Sequence, residues 1–481
     1  MSIPEKFQHS WLRTILYLGR NRLSLLGGAI ATASSITLLG YWAIELIGRG
    51  VLNPYLGLLF IFLLPVVFIL GLLLIPVGIV LEHRRQKKAG LLPDVYPRIE
   101  IDDPLFRRAL DFVILMTIVN VIIVATASYR GVAYMDTPGF CGQTCHVMKP
   151  EFTAYKVSPH SHVECATCHI GSGVQSFFLA KVNGTKQLIE VTFNTFPRPV
   201  PSPVHTLRPA RDICESCHMP AKFIGDKLLV KTSYADDEAN TRTKTIVLLH
   251  LGGLDSVSHR IGIHGVHLGH IEYVASDNDR QVIPWVQRYN PDGTTTEYMT
   301  PDLQGKPAGE LRTMDCIDCH NRAAHGFDTA EDALSRAMTE GAISTDLPFI
   351  HKKGIELLKA NYATEEEAAQ KIHAGVIAFY RGEHPDVMAA HSDLVNQAAD
   401  SLVTIFRHNV FPEYKVTWGT HPNNIGHNAP GTSPYPGCFR CHDGSHNAKN
   451  GSSITQDCSA CHNLLAQDEQ KPKVLTDLGI E

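Results

Sequence analysis

Three long apolar runs open the chain. Leu23–Ile47 is apolar almost throughout, with Glu45 near its end, and Tyr55–Leu81 holds no charge. Leu110–Ala127 carries Asp111 near its start and Asn120 inside. A run of about 20 such residues crosses the hydrocarbon core of a bilayer as a helix. The pattern therefore predicts three transmembrane helices, over residues 23–47, 55–81 and 110–127. Pro65 and Pro76 inside the second run would break a soluble helix but are tolerated within a membrane. Basic residues orient the spans. Lys6, Arg13, Arg20 and Arg22 precede the first, and only Arg49 stands in the first link. Arg84, Arg85, Lys87, Lys88, Arg98, Arg107 and Arg108 fill the loop 82–109. Residues 1–22 and that loop are expected in the cytoplasm, and everything from residue 128 onward on the exported side. The first apolar run is too long for a removable signal peptide and is followed by further spans, so a retained anchor is expected.

Beyond residue 128 the period changes. Lys227–Tyr234 and Thr245–Leu251 read as strands, and Ile283–Tyr289, a turn over Asn290–Gly293, and Thr294–Met299 read as a hairpin. These define a small β-rich insert, residues 225–302, within a segment 128–330. Glu331–Glu340, Lys352–Asn361, Glu365–Tyr380 and Pro385–His408 carry a helical period, and Thr364-Glu-Glu-Glu367 resembles a helix start. A helical section 331–410 therefore precedes a C-terminal segment 411–481. The Gly- and Pro-rich stretch Pro422–Gly437 leads into that segment, whose polar tail after His462 is expected to be loose. The fold expected is three N-terminal transmembrane helices followed by a mainly α exported domain with a small β-rich insert.

Composition adds one decisive feature. The 481 residues carry a formal charge of only −5, which gives no case for a nucleic-acid partner. All 12 cysteines fall into six pairs, each followed at once by histidine. Five have the form C-x-x-C-H: Cys165–Cys168–His169, Cys214–Cys217–His218, Cys316–Cys319–His320, Cys438–Cys441–His442 and Cys458–Cys461–His462. The first, Cys141–Cys145–His146, has one extra intervening residue. This is the attachment motif of c-type haem, in which two thiols bond the porphyrin and the histidine becomes an axial iron ligand. Zinc sites, redox dithiols and a disulfide framework are the alternatives. None of them accounts for the trailing histidine in every copy. Six covalent haem c groups packed into the exported domain are therefore predicted, and with them an electron carrier. Covalent haem is attached outside the cytoplasm, in agreement with the topology.

Six irons take up to twelve axial ligands. The motif histidines are the proximal set, with Met148 competing with His146 at haem one. Of the 25 histidines, His9 and His83 precede the exported part and six stand in motifs, which leaves 17. Eight of these are the distal candidates: His160 and His162 before motif two, His264 and His267 in Gly262-Ile-His-Gly-Val-His267, His325 after motif four, His421 and His427 before motif five, and His446 between motifs five and six. His351, His373, His384 and His391 lie on or beside predicted helices and are expected to face solvent.

Residues 108–330 resemble the NapC/NirT/NrfH family of membrane-anchored multihaem cytochromes. The likeness rests on the third span followed by Cys145-His-Val-Met148, on Tyr155 with Ser158-Pro-His160 before the second motif, on the third motif, and on Cys316-Ile-Asp-Cys-His320 with Ala324-His325. Three spans instead of one, the longer insert and the last two motifs depart from the family. That extended layout is similar to inner-membrane cytochromes of extracellular electron transfer. The resemblance implies a quinol dehydrogenase of bacterial anaerobic respiration, seated in the inner membrane with its haem domain in the periplasm. It would oxidise a quinol of the menaquinol kind and pass electrons to a periplasmic cytochrome or reductase. It also implies a quinol site near Lys181, with Gln187 and Glu190 close by. Two other readings stand beside it. One is a passive conduit fed by another membrane subunit, a homo-oligomer being a further partner arrangement to expect. The other is a terminal reductase with one open haem, against which stands the lack of a C-x-x-C-K motif.

Overall fold

The computed structural model describes residues 11–46, 63–93, 104–170, 174–203, 209–223, 225–252, 261–427 and 435–480. It forms two compact units, Met1–Asp136 and Thr137–Glu481.

Among the described residues of the first unit three helices are long and apolar enough to span a bilayer: Arg22–Leu46, Leu64–Lys88 and Pro104–Met135. Residues 55–62 of the second predicted run lie outside the described residues. The third helix overruns its predicted bounds at both ends. Proline is well placed at a helix start, and no further proline interrupts the chain before Pro138. The first two spans meet where side chains are smallest. A Cβ on Gly27 would lie 2.6 Å from the Gly71 carbonyl oxygen, and one on Gly78 would lie 2.7 Å from the Ser24 nitrogen. Small residues let transmembrane backbones approach closely. Ser24 Oγ donates to the Ile75 carbonyl at 2.9 Å, and Ser35 Oγ reaches Asn120 Oδ1 on the third span at 3.2 Å. Such bonds satisfy polar groups that lipid cannot. Leu25, Ile36, Leu73, Val121 and Ile122 stay exposed on the outer faces, as lipid-facing residues should.

The second unit holds two sheets and a helical section. Strands β1 (Lys227–Tyr234) and β2 (Arg242–Leu249) pair antiparallel, with Lys227 opposite Leu249. The second sheet runs in the order β6-β3-β4-β5-β7. Its members are β3 (Ile271–Val274), β4 (Trp285–Tyr289), β5 (Thr295–Met299), β6 (Arg312–Thr313) and β7 (Asn447–Ala448). The β4–β5 hairpin turns where Gly293 takes φ +83°, as predicted from Asn290–Gly293. Each sheet is completed from the C-terminal segment. β7 pairs with β5, and β8 (His462–Glu469) pairs with β2, placing His462 opposite Leu249. The tail expected to be loose is thus a strand followed by the helix Lys473–Asp477. Ala466 and Leu475 bury against Ile246, an apolar gain that polar composition alone conceals.

The helical section forms as predicted in outline: Ala330–Thr339, Ile350–Leu358, Glu365–Glu383, Pro385–Ala390 and Ser392–Asn409. The last predicted helix is broken in two at His391, where φ is −136° and ψ 40°. Thr364 caps the third helix by accepting from the Glu367 amide at 3.1 Å. Leu334, Ile350, Ile372, Val376, Tyr380 and Leu402 are fully buried between the helices. His351, expected in solvent, is buried, and its Nδ1 meets Asp236 Oδ1 at 2.8 Å. A carboxylate partner meets the cost of burying an imidazole.

Candidate haem-binding site

Each motif is presented by a short turn of helix. Cys165–His169 and Cys316–Cys319 are α-helical turns, and Cys458–Ala460 is a 3-10 turn. A single turn projects both thiols and the trailing imidazole toward one side. The fourth motif is braced by its own residues. Asp315 and Asp318 cap each other's backbone, and Asp318 Oδ1 also accepts from Tyr273 Oη. Arg440, inside the fifth motif, is buried and donates to the carbonyls of Gly437, Arg280 and Asp318 at 2.9, 3.0 and 2.7 Å. One guanidinium thereby fastens motif five to motif four and to the β-rich insert.

The motif histidines find partners. The ring of His218 faces His160 at 6.1 Å between centres, and His169 faces His325 at 6.3 Å. His320 faces His264 at 6.3 Å, nearly coplanar at 7°. His442 faces His267 at 5.9 Å and His462 faces His427 at 6.2 Å. These spacings test whether an iron fits. An imidazole nitrogen binds a transition metal at about 2.0 Å, so two trans nitrogens lie about 4 Å apart and the ring centres about 6.3 Å apart. All five pairs, each joining one motif histidine to one histidine from elsewhere, fall within a few tenths of an ångström of that span.

Hydrogen bonds orient the rings. Nδ1 meets a backbone carbonyl in His160 (Ala323, 3.0 Å), His264 (Leu251, 2.5 Å), His267 (Ile263, 2.8 Å) and His442 (Thr455, 2.7 Å). A donor bond at Nδ1 fixes the tautomer that leaves the Nε2 lone pair for a metal. Burial pushes the His325 pKa down to about 4, so that ring is neutral at pH 7 and able to ligate. His264 and His267 sit on one turn, Ile263–His267, so a single helical turn serves motifs four and five.

The remaining distal candidates are not brought to a motif histidine among the described residues. His446 is buried with both nitrogens engaged, by Asp443 Oδ1 at 2.8 Å and the Ile283 carbonyl at 2.7 Å, which corrects its candidacy. His162 is exposed. His421 is buried beside Phe327, with Nε2 3.9 Å from Glu151 Oε1, and burial pushes its pKa down to about 3. The side chain of His146 lies outside the described residues. Met148 is half-buried at the start of the helix Lys149–Lys156.

Among the described residues no three metal-ligating side chains converge on one point. Burial pushes the thiol of Cys319 up to about 11 and those of Cys316 and Cys441 up to about 12. The motifs also neighbour one another in chain order. Cys165 lies beside Cys141, and Cys316 beside Cys214. Cys168 lies within electrostatic reach of Cys217, Cys441 of Cys319, and Cys461 of Cys438.

The proposed quinol residues lie on the helix Val174–Thr192, which was not predicted as a helix. Nine residues at about 100° each put positions 181 and 190 on opposite sides of it. Gln187 is exposed and Glu190 pairs with Lys186 at 3.8 Å. The side chain of Lys181 lies outside the described residues.

Three spanning helices joined to a unit built around C-x-x-C-H turns with facing histidines define a membrane-anchored cytochrome c. The chain belongs to the NapC/NirT cytochrome c family, whose N-terminal region matches residues 105–199. It is 38% identical over 458 residues to the cytochrome c-type protein ImcH of Geobacter sulfurreducens, covering 93% of this chain and 88% of that one. No solved structure matches it. Family membership carries covalently bound haem c with it.

Proposed function

We propose that the chain carries six haem c groups and works as a quinol dehydrogenase. It would take electrons from menaquinol at the exported face of the inner membrane and release them to a periplasmic cytochrome or reductase. The observation that supports this most is the set of five facing histidine pairs at iron-spanning distance, on motifs that neighbour one another in chain order. When bound, haem c supplies one-electron carriage from site to site.

The chain's own residues do the rest. His169 with His325, His218 with His160, His320 with His264, His442 with His267 and His462 with His427 would each hold one iron between two imidazoles, which would suit those five sites to electron transfer and not to substrate binding. His146 or Met148 would ligate the first. The Arg440 bonds and the Ile263–His267 turn hold the fourth and fifth sites at fixed separation. The family resemblance supports the quinol step, with Lys181 as its hydrogen-bonding residue. Quinol gives up two electrons and two protons, the electrons leaving singly and the protons passing to the exported side.

The test is anaerobic mixing of the purified full-length protein with a menaquinol analogue while the haem α-band is followed. Growth of the reduced band is expected. A band that stays oxidised with quinol, yet appears with a strong chemical reductant, would remove the quinol reading and leave a conduit fed by another subunit.

A further inference from the structure

Arg322 is only 7% exposed. Its Nη2 donates to Ser202 Oγ at 2.9 Å, and its Nε is buried with no partner among the described residues. The ring centre of Phe327 lies 6.0 Å from its Cζ. A hydroxyl and a ring at that distance do not repay the removal of a guanidinium from water, which calls for an anion.

His421 stands beside it. Its side chain is 4% exposed, and its Nε2 also has no hydrogen-bond partner among the described residues. Its ring centre lies 5.2 Å from that of Phe327, and the charge of Arg322 is felt at it. One clamp brings the two together. Asn321 Nδ2 donates to the Pro422 carbonyl at 2.8 Å, and Asn321 Oδ1 accepts from the Asn424 amide at 3.0 Å. The residues next to Arg322 and His421 in the chain are thereby tied to each other. Glu151 completes the surroundings. Its Oε1 lies 3.9 Å from His421 Nε2, beyond hydrogen-bond reach, and its Oε2 is buried with no partner. Burial raises its pKa, which favours the neutral acid, a donor, over a competing anion.

Buried groups with unspent hydrogen-bonding capacity, one of them a fixed positive charge, fit a carboxylate ligand. Each haem c carries two propionate carboxylates, and a guanidinium fork matches a carboxylate in two-point contact. The haem concerned is the one read between His169 and His325. His325 follows Arg322 by three residues, and the charge of Arg322 is felt at His325 as well as at His421. The charges felt at His320, nearer in sequence, are those of His264 and His218.

We propose that Arg322, with His421, binds a propionate of the haem carried by Cys165 and Cys168 and thereby raises its reduction potential. A positive charge beside the porphyrin disfavours the ferric state, which carries the extra positive charge. The inference rests on the haem reading and is independent of quinol oxidation.

The full-length holoprotein is titrated spectroelectrochemically on its haem α-band, after haem content and low-spin ligation are checked. Arg322→Gln is expected to keep its haems and to move one one-electron component to lower potential. The shift expected is about tenfold in the reduction constant, which is about 59 mV for one electron. Arg322→Lys should restore more than half of it, because the charge returns without the fork. The propionate bending band in the resonance Raman spectrum should fall in frequency in Arg322→Gln, as its hydrogen bonds are lost. His325→Met marks the haem, since a thioether axial ligand raises the potential, and in the double variant both shifts should fall on one component. His421→Leu should lower that same component, and it carries the test if Arg322→Gln fails to load its haems. Unchanged potentials in fully loaded variants would overturn the proposal. So would a shift with no change in the propionate band, which would mean a charge acting only through space, or shifts that fall on two different components. Native protein without haem would remove the haem reading and this inference with it, whereas loaded protein that quinol fails to reduce would leave this inference standing.

Discussion

Replacing His264 by alanine isolates one axial position. Its ring lies 6.3 Å from that of His320 and within 7° of parallel, the span that two metal–nitrogen bonds of about 2.0 Å produce. His264 Nδ1 gives up one hydrogen bond, to the Leu251 carbonyl, which is worth about 0.5–1.5 kcal/mol. The ring also leaves a contact with Phe223 at 5.0 Å. Losses of this size are small against a typical domain stability of about 5–15 kcal/mol, so the variant is expected to fold and to retain its haems. One iron in six would become five-coordinate and high-spin. Reduced protein treated with carbon monoxide should then bind about one more equivalent per chain than the native protein. An unchanged spectrum with no added carbon monoxide binding would refute the pairing and, with it, the use of ring spacing to assign ligands.

Three further outcomes follow from the same geometry. His446→Ala should leave the haem spectrum untouched, because both ring nitrogens are already bonded. It should still lower stability to urea by about 1–3 kcal/mol, since the buried Ile283 carbonyl loses its donor. Gly27→Leu would drive a Cβ to 2.6 Å from the Gly71 carbonyl oxygen and 2.8 Å from Leu74 Cβ. Overpacking of this kind costs about 1–3 kcal/mol and should show as a lower melting temperature in detergent. Glu367 has its pKa held below the usual carboxylate value by hydrogen bonds from Lys371 and the Ala363 amide. A carboxyl depressed in the folded state stabilises above its unfolded pKa and loses that effect as pH falls through the folded one. Glu367→Gln should therefore lower the melting temperature at pH 7, and the gap should close on acidification below the ordinary carboxylate range.

Much of this arrangement is legible in sequence because its signals are local. The three spans follow from uninterrupted apolar length. The β4–β5 hairpin follows from alternation around Asn290–Gly293, and the Thr364 cap from the residues that succeed it. His160, His325 and His427 stand close to a motif in the chain, while His264 and His267 lie far from any and were legible only as a closely spaced pair. What sequence could not separate was His446 from His427. Both stand near motif five, and only the fold shows that Asp443 and Ile283 occupy one while the other faces His462. The strand His462–Glu469 was missed because its stabilising partners, Ile246 and Val247, lie more than two hundred residues away. The helix Val174–Thr192 was missed because its apolar residues are interrupted by Lys186 and its chain by Gly184. The brace at Arg440 left no periodic trace, since a guanidinium seeking backbone carbonyls looks in sequence like any surface arginine.

The most direct test of the account is an intact-mass measurement of the mature full-length protein with metal analysis. Six covalent porphyrin additions with six irons are expected. Fewer additions, or zinc in place of iron, would contradict the claim that every cysteine pair holds a haem.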